Sequence, residues 1–365
     1  MKRIKPRRFA AAAAGLVLAC TLAASAWAAG SAGSLDTSFA GTGYVTTSFG
    51  PGYQFAAGVT NYDGGKAVAV GGYDSGTNNG DFAVARYNKN GSLDQSFGNG
   101  GKVVSNFSGY DFADAVAVDG DKIVAAGETR AGGPGDDNFA IARYKKDGSL
   151  DGSFGNSGLV ATDFNGGFDS ANGVAFMGDK IVAAGYVEGA NFDFGLARFN
   201  KNGTLDSSFG TGGKVETDFG NGNDFGHAVD VRGDRILVVG SASNATDQDF
   251  AAAVYDKRGM PDTHFNVTGR STIDMGGDDT ASGGAFGPED TVIAAGDTFS
   301  ASDQFAVARW TKNGAADPSF GTGGFTTTAI GGDSGAFAMA LGPENKIIAA
   351  GYSDDNFAVA RYLNK

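Results

Sequence analysis

The sequence predicts an all-β protein, a six-bladed β-propeller of four-stranded blades. Three observations carry that prediction. Three short patterns each recur six times, at intervals of 52 to 58 residues. Each interval reads as four short strands, with no stretch of helical period. Glycine supplies 61 of 365 residues, more than twice its usual share of about 7%, as a chain with many turns requires. A period in this range indicates a propeller, a solenoid or an array, and four-stranded units at fixed period are propeller blades. A solenoid would carry atypical capping repeats, and none is visible.

The first element lies outside the fold. Residues 1–28 read as a signal peptide, with a basic MKRIKPRR, an alanine-rich apolar run and a small-x-small site at Ala26-Trp27-Ala28. Val17-Leu18-Ala19-Cys20 offers a lipoprotein cleavage site, but the apolar run continues past Cys20. Arg7-Arg8 offers a twin-arginine signal whose following residues fit poorly. Residues 29–33 form a short linker, and residues 34–365 hold the six-repeat propeller domain. The expected product is exported from a bacterium, to the periplasm, the cell surface or the medium. It has no transmembrane segment after signal removal and is expected to be a monomer. Cys20 is the only cysteine, so the mature chain has no disulfide framework, thiol nucleophile or cysteine-based metal site. Loss of Lys2, Arg3, Lys5, Arg7 and Arg8 takes the formal charge from −13 to −18. A nucleic-acid backbone is therefore not an expected partner.

The second unit shows the strands in order. Residues 101–107, GKVVSNF, are a short β-rich run. Residues 113–129 are two apolar runs joined by Asp119-Gly120-Asp121, a hairpin signal. Residues 138–144, NFAIARY, form the fourth run, and Asp147-Gly148 follows as a turn. The runs are nearly continuous in apolar residues, which suits sheets covered on both faces. Their alanines suit close approach of neighbouring sheets.

These residues resemble the delta-60 repeat, found in tandem in exported bacterial proteins. The resemblance rests on Asp121-Lys122-Ile123-Val124-Ala125-Ala126-Gly127, then Asn138 to Tyr144, then Gly148 to Gly155, and it covers roughly residues 34–365. It implies propeller-like blades and attaches no activity. The fourth and fifth units depart from the pattern. Val254 stands where arginine is expected, Met260-Pro261 replaces Ser-Leu, and His264 replaces serine.

The most regular charged residue is the arginine of Phe-Ala-Val-Ala-Arg-Tyr, at Arg86, Arg143, Arg198, Arg309 and Arg361. It precedes the aspartate of Leu-Asp-x-Ser-Phe, at Asp94, Asp151, Asp206 and Asp317. A ring of arginines binding an anion is one reading. Structural, inter-blade ion pairs are the reading preferred here, because a ligand site needs asymmetry and these residues repeat. All five arginines are expected to be buried, and Asp262 is expected to find another partner.

Enzyme signatures are scarce. There are two histidines, His227 and His264, and no nucleophile elbow, phosphate loop or His-Glu-x-x-His helix. No catalytic residue is assigned. Differences between repeats are more informative. Asp114, Asn172 and His227 superpose near the start of one strand, with Gly58, Gly283 and Ala338 nearby in the other units. Asp111, Asp169, Asp224, Asp279 and Asp333 form a second column, with Gln54 in the first unit. Capping of the loop is the simpler reading of that column. The six ligand-binding candidates are Asp111, Asp114, Asp169, Asn172, Asp224 and His227. The loops at one end of the blades carry many acidic residues against Arg130 alone, whereas Lys89, Lys145, Lys146, Lys201, Lys257, Arg258 and Lys312 lie at the other end. The expected function is a non-enzymatic binding module whose acidic face takes a ligand, glycan, partner protein or cation. No cofactor is assigned beyond calcium. A lyase or hydrolase at the channel mouth near His227 is the alternative. Finally, residues 43–49 are expected to pair with residues 357–362, so that both ends of the chain share the last blade and remove an open edge.

Overall fold

Apolar runs of four to ten residues bounded by glycine and Asx turns fold as strands. In the computed structural model they form six antiparallel sheets, placed side by side through their first strands. The structure describes residues 36–76, 80–130, 133, 135–220, 222–299, 302–354 and 356–364. The expected signal peptide and linker lie outside the described residues.

Blade one comprises Tyr53–Tyr62, Lys66–Asp74, Gly80–Tyr87 and Lys102–Ser105. Blade two comprises Asp111–Asp119, Lys122–Thr129, Asn138–Tyr144 and Leu159–Thr162. Blade three comprises Ser170–Met177, Lys180–Glu188, Phe192–Phe199 and Lys214–Thr217. Blade four comprises Asp224–Arg232, Arg235–Ser243, Gln248–Asp256 and Arg270–Ile273. Blade five comprises Asp278–Phe286, Val292–Phe299, Asp303–Trp310 and Phe325–Thr328, and blade six Ser334–Leu341, Ile347–Ser353 and Asn356–Tyr362. The first strand is innermost in each, and the short fourth strand is outermost. The core lies between blades. Val124, Phe139 and Ile141 of blade two pack on Ile181, Ala183 and Phe199 of blade three, all with 1% exposure or less.

Leu-Asp-x-Ser-Phe is a clamp for the repeated arginine. Arg143 is 3% exposed. Its Nε donates to Asp151 Oδ2 at 2.9 Å, and its Nη2 lies 2.8 Å from the same oxygen. The Ser153 hydroxyl holds Asp151 Oδ1 at 2.7 Å and accepts from Arg143 Nη2 at 3.1 Å. The Phe154 ring lies under the guanidinium, 4.4 Å from centroid to carbon. Nη1 donates to the Lys201 carbonyl of blade three. The ion pair is therefore within one unit, and the bond to the backbone joins neighbouring blades. Arg86, Arg198 and Arg309 pair in the same way with Asp94, Asp206 and Asp317. Where Val254 stands, Arg235 reaches Asp262 at 3.0 Å from the strand alongside. Arg361 departs from expectation. It is exposed and forms no ion pair among the described residues.

The expected pairing of residues 43–49 with residues 357–362 is not present. Among the described residues the sixth sheet has three strands, and its Asn356–Tyr362 strand pairs only with Ile347–Ser353. Residues 44–49 instead lie against blade one. Thr47 accepts from the Tyr87 hydroxyl at 2.8 Å, as Ser105 does from Tyr144 at 3.0 Å. Gln54 Oε1 accepts from Phe49 N at 2.7 Å, and Lys102 Nζ donates to the Ser48 carbonyl at 2.7 Å. The segment thus stands where an outer strand stands toward the following blade, without a ladder to blade six. Val59 on blade one, and Phe337 and Val359 on blade six, remain exposed.

Candidate functional site

Two groups of side chains are placed by features of the blade itself. The first faces the axis. Each innermost strand carries a β-bulge at the same level, so that one residue is left out of the ladder. The extra residues are Ala57, Asp114, Asn172, His227, Ser282 and Phe337. The sequence alignment places Asp114, Asn172 and His227 together correctly, but Gly58, Gly283 and Ala338 each lie one position beyond the bulge. Opposite each bulge stands the glycine of the Ile-Val-Ala-Ala-Gly pattern. A Cβ on Gly127, Gly185, Gly240 or Gly296 would sit 1.8 Å from a carbonyl oxygen of the bulged strand. The glycine is recurrent because the bulge brings backbone against it.

The bulge residues of blades three and four meet. Asn172 Nδ2 donates to the Gly226 carbonyl at 3.0 Å and lies 3.5 Å from His227 Nδ1. Burial lowers the His227 pKa to about 4, so the ring is neutral at physiological pH. Asp114 is raised to about 7, by burial first and by Glu128 second. The Tyr186 hydroxyl is pushed well above its usual range, chiefly by burial and then by Glu128 and Asp114. Glu128, Ser170 and Tyr186 are members of this group that the sequence reading did not assign. They vary from unit to unit, so no column marks them.

The second group lies at the end of the blades where each third strand begins. Asp111, Asp169 and Asp224 are fully buried there and cap the loop that precedes them. Their Oδ2 atoms accept from Phe107, Phe164 and Phe219 N at 2.6, 2.8 and 2.6 Å. In blade six this place belongs to Ser334, whose hydroxyl accepts from Ile330 N at 3.2 Å, and not to Asp333. Around the caps, two triads bring one oxygen each within 4.8 Å of one another, namely Asp193, Asp218 and Asp224, and Asp249, Asp274 and Asp279. Either triad has the donor set for a cation. Each draws on a third strand, the loop after an outer strand, and the first strand of the next blade.

The two ends of the blades treat carboxylates oppositely. Burial works to raise Asp94, Asp151, Asp206 and Asp317, but serine hydroxyls and the arginine or lysine beside each hold all four below the usual range. At the other end burial prevails. Asp169, Asp193, Asp224 and Asp279 rise to about 6 and Asp297 to about 7, with neighbouring carboxylates adding to the shift. Arg130, paired with Asp137 at 2.6 Å, is the one cation bonded to a carboxylate at that end among the described residues.

These shifts fix the sign of a pH effect. A carboxylate whose folded pKa exceeds its unfolded value of about 3.9 binds more protons when folded. Its stabilisation is complete below about pH 4 and is lost as pH rises through the folded values of about 6 to 7. His227 opposes this, because its folded value of about 4 lies below its ordinary 6.5. Several carboxylates act against one imidazole, so the melting temperature is expected to be higher at pH 5 than at pH 8. Calorimetric scans across that range check this, and a fall toward pH 5 would contradict it.

Three stretches, residues 65–97, 121–154 and 179–209, match the family described as a domain of unknown function (DUF5122) beta-propeller. Each stretch spans the second strand, the third strand and the arginine clamp of one blade, in agreement with a tandem β-propeller repeat. No curated protein matches. Among solved structures, the chain is similar to Sqt1 from Chaetomium thermophilum bound to the N-terminus of ribosomal protein L10. That likeness is 14% identity and a TM-score of 0.45, over 84% of this chain and 71% of the other. A catalytically inactive virginiamycin B lyase from Staphylococcus aureus with quinupristin is 12% identical, with a TM-score of 0.43 over 85% and 84%. The β-propeller domain of the Trilobed protease from Pyrococcus furiosus, described as having an open velcro topology, is 8% identical, with a TM-score of 0.40 over 86% and 82%.

Proposed function

We propose that the protein is an exported, non-enzymatic binding module of the delta-60 repeat type. Its ligand or partner carries positive charge and docks where the third strands begin. One observation carries this reading. Asp94 and Asp206 at one end of the blades are matched by the protein's own arginines and lysines, whereas Asp224 and Asp279 at the other end are held above their usual pKa, chiefly by burial, with no arginine or lysine bonded to them among the described residues. Charge left unmatched by the fold favours a cation from outside.

The test compares two variants of equal net charge. Asp163→Asn, Asp218→Asn and Asp274→Asn remove three exposed carboxylates at the proposed binding end, and Asp121→Asn, Asp179→Asn and Asp234→Asn remove three at the opposite end. Binding of an oligolysine peptide, measured by interferometry at moderate salt, is expected to weaken roughly tenfold or more in the first variant. In the second it should change less than about threefold. Equal losses in both would mean that only net charge matters and would defeat the reading. Export is checked by fractionating the producing cell and reading the mature N-terminus by mass spectrometry.

The channel group favours one second reading. A carboxyl poised at about 7, as burial leaves Asp114, has the pKa of a general acid or base near neutrality. A lyase or hydrolase working there would lose turnover in Asp114→Asn while keeping the charge-dependent binding.

A further inference from the structure

We propose that the face of blade six left open in one chain receives blade one of a second copy, with residues 36–49 of that copy as its clamp and outer strand. This stands apart from the binding reading above. Residues 36–49 already contact blade one as a clamp and outer strand contact the blade that follows them. Asp36 Oδ1 accepts from Ser38 N at 2.9 Å and from its hydroxyl at 2.6 Å, as Asp151 Oδ1 accepts from Ser153. Ala40 N donates to the Asn90 carbonyl of blade one at 2.7 Å, as Gly155 N donates to the Asn202 carbonyl of blade three at 2.8 Å. Lys102 bonds the Ser48 carbonyl as Lys214 bonds that of Asp163. Phe49 N is held by Gln54 as Phe164 N is held by Asp169. The segment is the end of a blade whose third strand is not beside it.

Blade six lacks what this segment offers. Its third strand, Asn356–Tyr362, has no partner on its outer side among the described residues. The later clamp aspartates, Asp94, Asp151, Asp206, Asp262 and Asp317, each pair with an arginine. Among the described residues, Asp36 is thus the clamp aspartate without an arginine, and Arg361 the repeat arginine without a carboxylate. Both are exposed, and their charges are opposite. The apolar surfaces match in the same way. Ile141 of blade two is fully buried against blade three, but Val359, at the same place in blade six, is 66% exposed. Val174 of blade three is 9% exposed against blade two, but Val59, at the same place in blade one, is 73% exposed. That side of blade one carries a groove of about 280 Å³ lined by Val45, Phe49, Ala69, Ala85 and Tyr87, where the third strand of a preceding blade would lie.

The packing of the single chain favours a second copy as the occupant. Five apolar cores fill the five junctions from blade one to blade six. Interiors packed to this density resist deformation, so closing the sixth junction within one chain would disturb the other five. A second copy brings blade one with residues 36–49 already seated. In the joined blade Val45 stands opposite Val359, as Val160 stands opposite Ile141, and Asp36 takes Arg361. The contact is head-to-tail, so copies close into a ring or run on as an open chain. At low concentration the molecule is a single chain with Arg361 exposed.

The experiment measures the mass of the full mature chain by light scattering over about a hundredfold range of concentration. The mass is expected to rise with concentration. Arg361→Glu and Asp36→Arg each set like charges against each other at the junction, and each should weaken association roughly tenfold or more. Both residues are exposed, so both variants should fold. An equimolar mixture of the two should associate again, because Asp36 of the first variant then meets Arg361 of the second. A constant single-chain mass, undiminished association in either variant, or no recovery on mixing would each overturn the proposal. A single-chain mass with a lower melting temperature in both variants would overturn it in favour of closure within one chain.

Discussion

Replacing Arg143 by alanine is expected to lower the unfolding free energy by about 3–5 kcal/mol, the usual cost of stranding one member of a buried ion pair. The loss compounds several contacts. Asp151 would keep only its serine partner, Phe154 would lose the cation over its ring, and the Lys201 carbonyl of the next blade would lose its donor. Arg143→Lys should recover little, because an ammonium cannot engage the carboxylate, the serine and the neighbouring carbonyl together. Arg361→Ala is the control. That side chain is exposed and forms no ion pair among the described residues, so its removal should cost only a few tenths of a kcal/mol. Urea denaturation of the three variants measures the difference. A cost below about 1 kcal/mol for Arg143→Ala would show that the clamp adds nothing beyond shape.

Replacing Gly240 by alanine is expected to cost roughly 1–3 kcal/mol or more, because overpacking a buried backbone contact forces the chain to move. Its Cβ would lie 1.8 Å from the Phe225 carbonyl oxygen, inside any tolerable contact. The strand that must yield is the one whose bulge carries His227. The substitution should therefore also displace the imidazole from Asn172, and the histidine ring resonances report this directly. Gly152→Ala is the matched control, since nothing lies within 4 Å of a Cβ there and its backbone is ordinary. An unchanged His227 environment in Gly240→Ala would remove the steric account of the recurring glycine.

Much of the molecule is legible in short stretches of sequence. Repeat length, apolar runs and Asx-Gly turns act over a few residues, so the blades and their strand order could be read in advance. The arginine–aspartate pair was legible for the same reason, its members lying eight residues apart across one turn, as in Arg143 and Asp151. The substitute pair was not. Arg235 reaches Asp262 only because its strand lies alongside Gln248–Asp256, from which the chain turns into Asp262. Nor was the bulge visible, since it depends on register against the neighbouring strand. Alignment by spacing alone therefore reached Asp114, Asn172 and His227 but missed Ser282 and Phe337.

The sequence by itself determined the repeat, the all-β blade and the local clamp, because each is specified by neighbours in the chain. Tertiary structure decided which carboxylates meet. Asp249 and Asp279 are thirty positions apart on adjacent sheets, and no periodicity announces that their carboxylates meet. It also decided that residues 44–49 lie against blade one instead of pairing with Asn356–Tyr362. Both outcomes depend on how sheets stack, which is a balance of long-range packing and hydrogen bonding that short patterns do not encode.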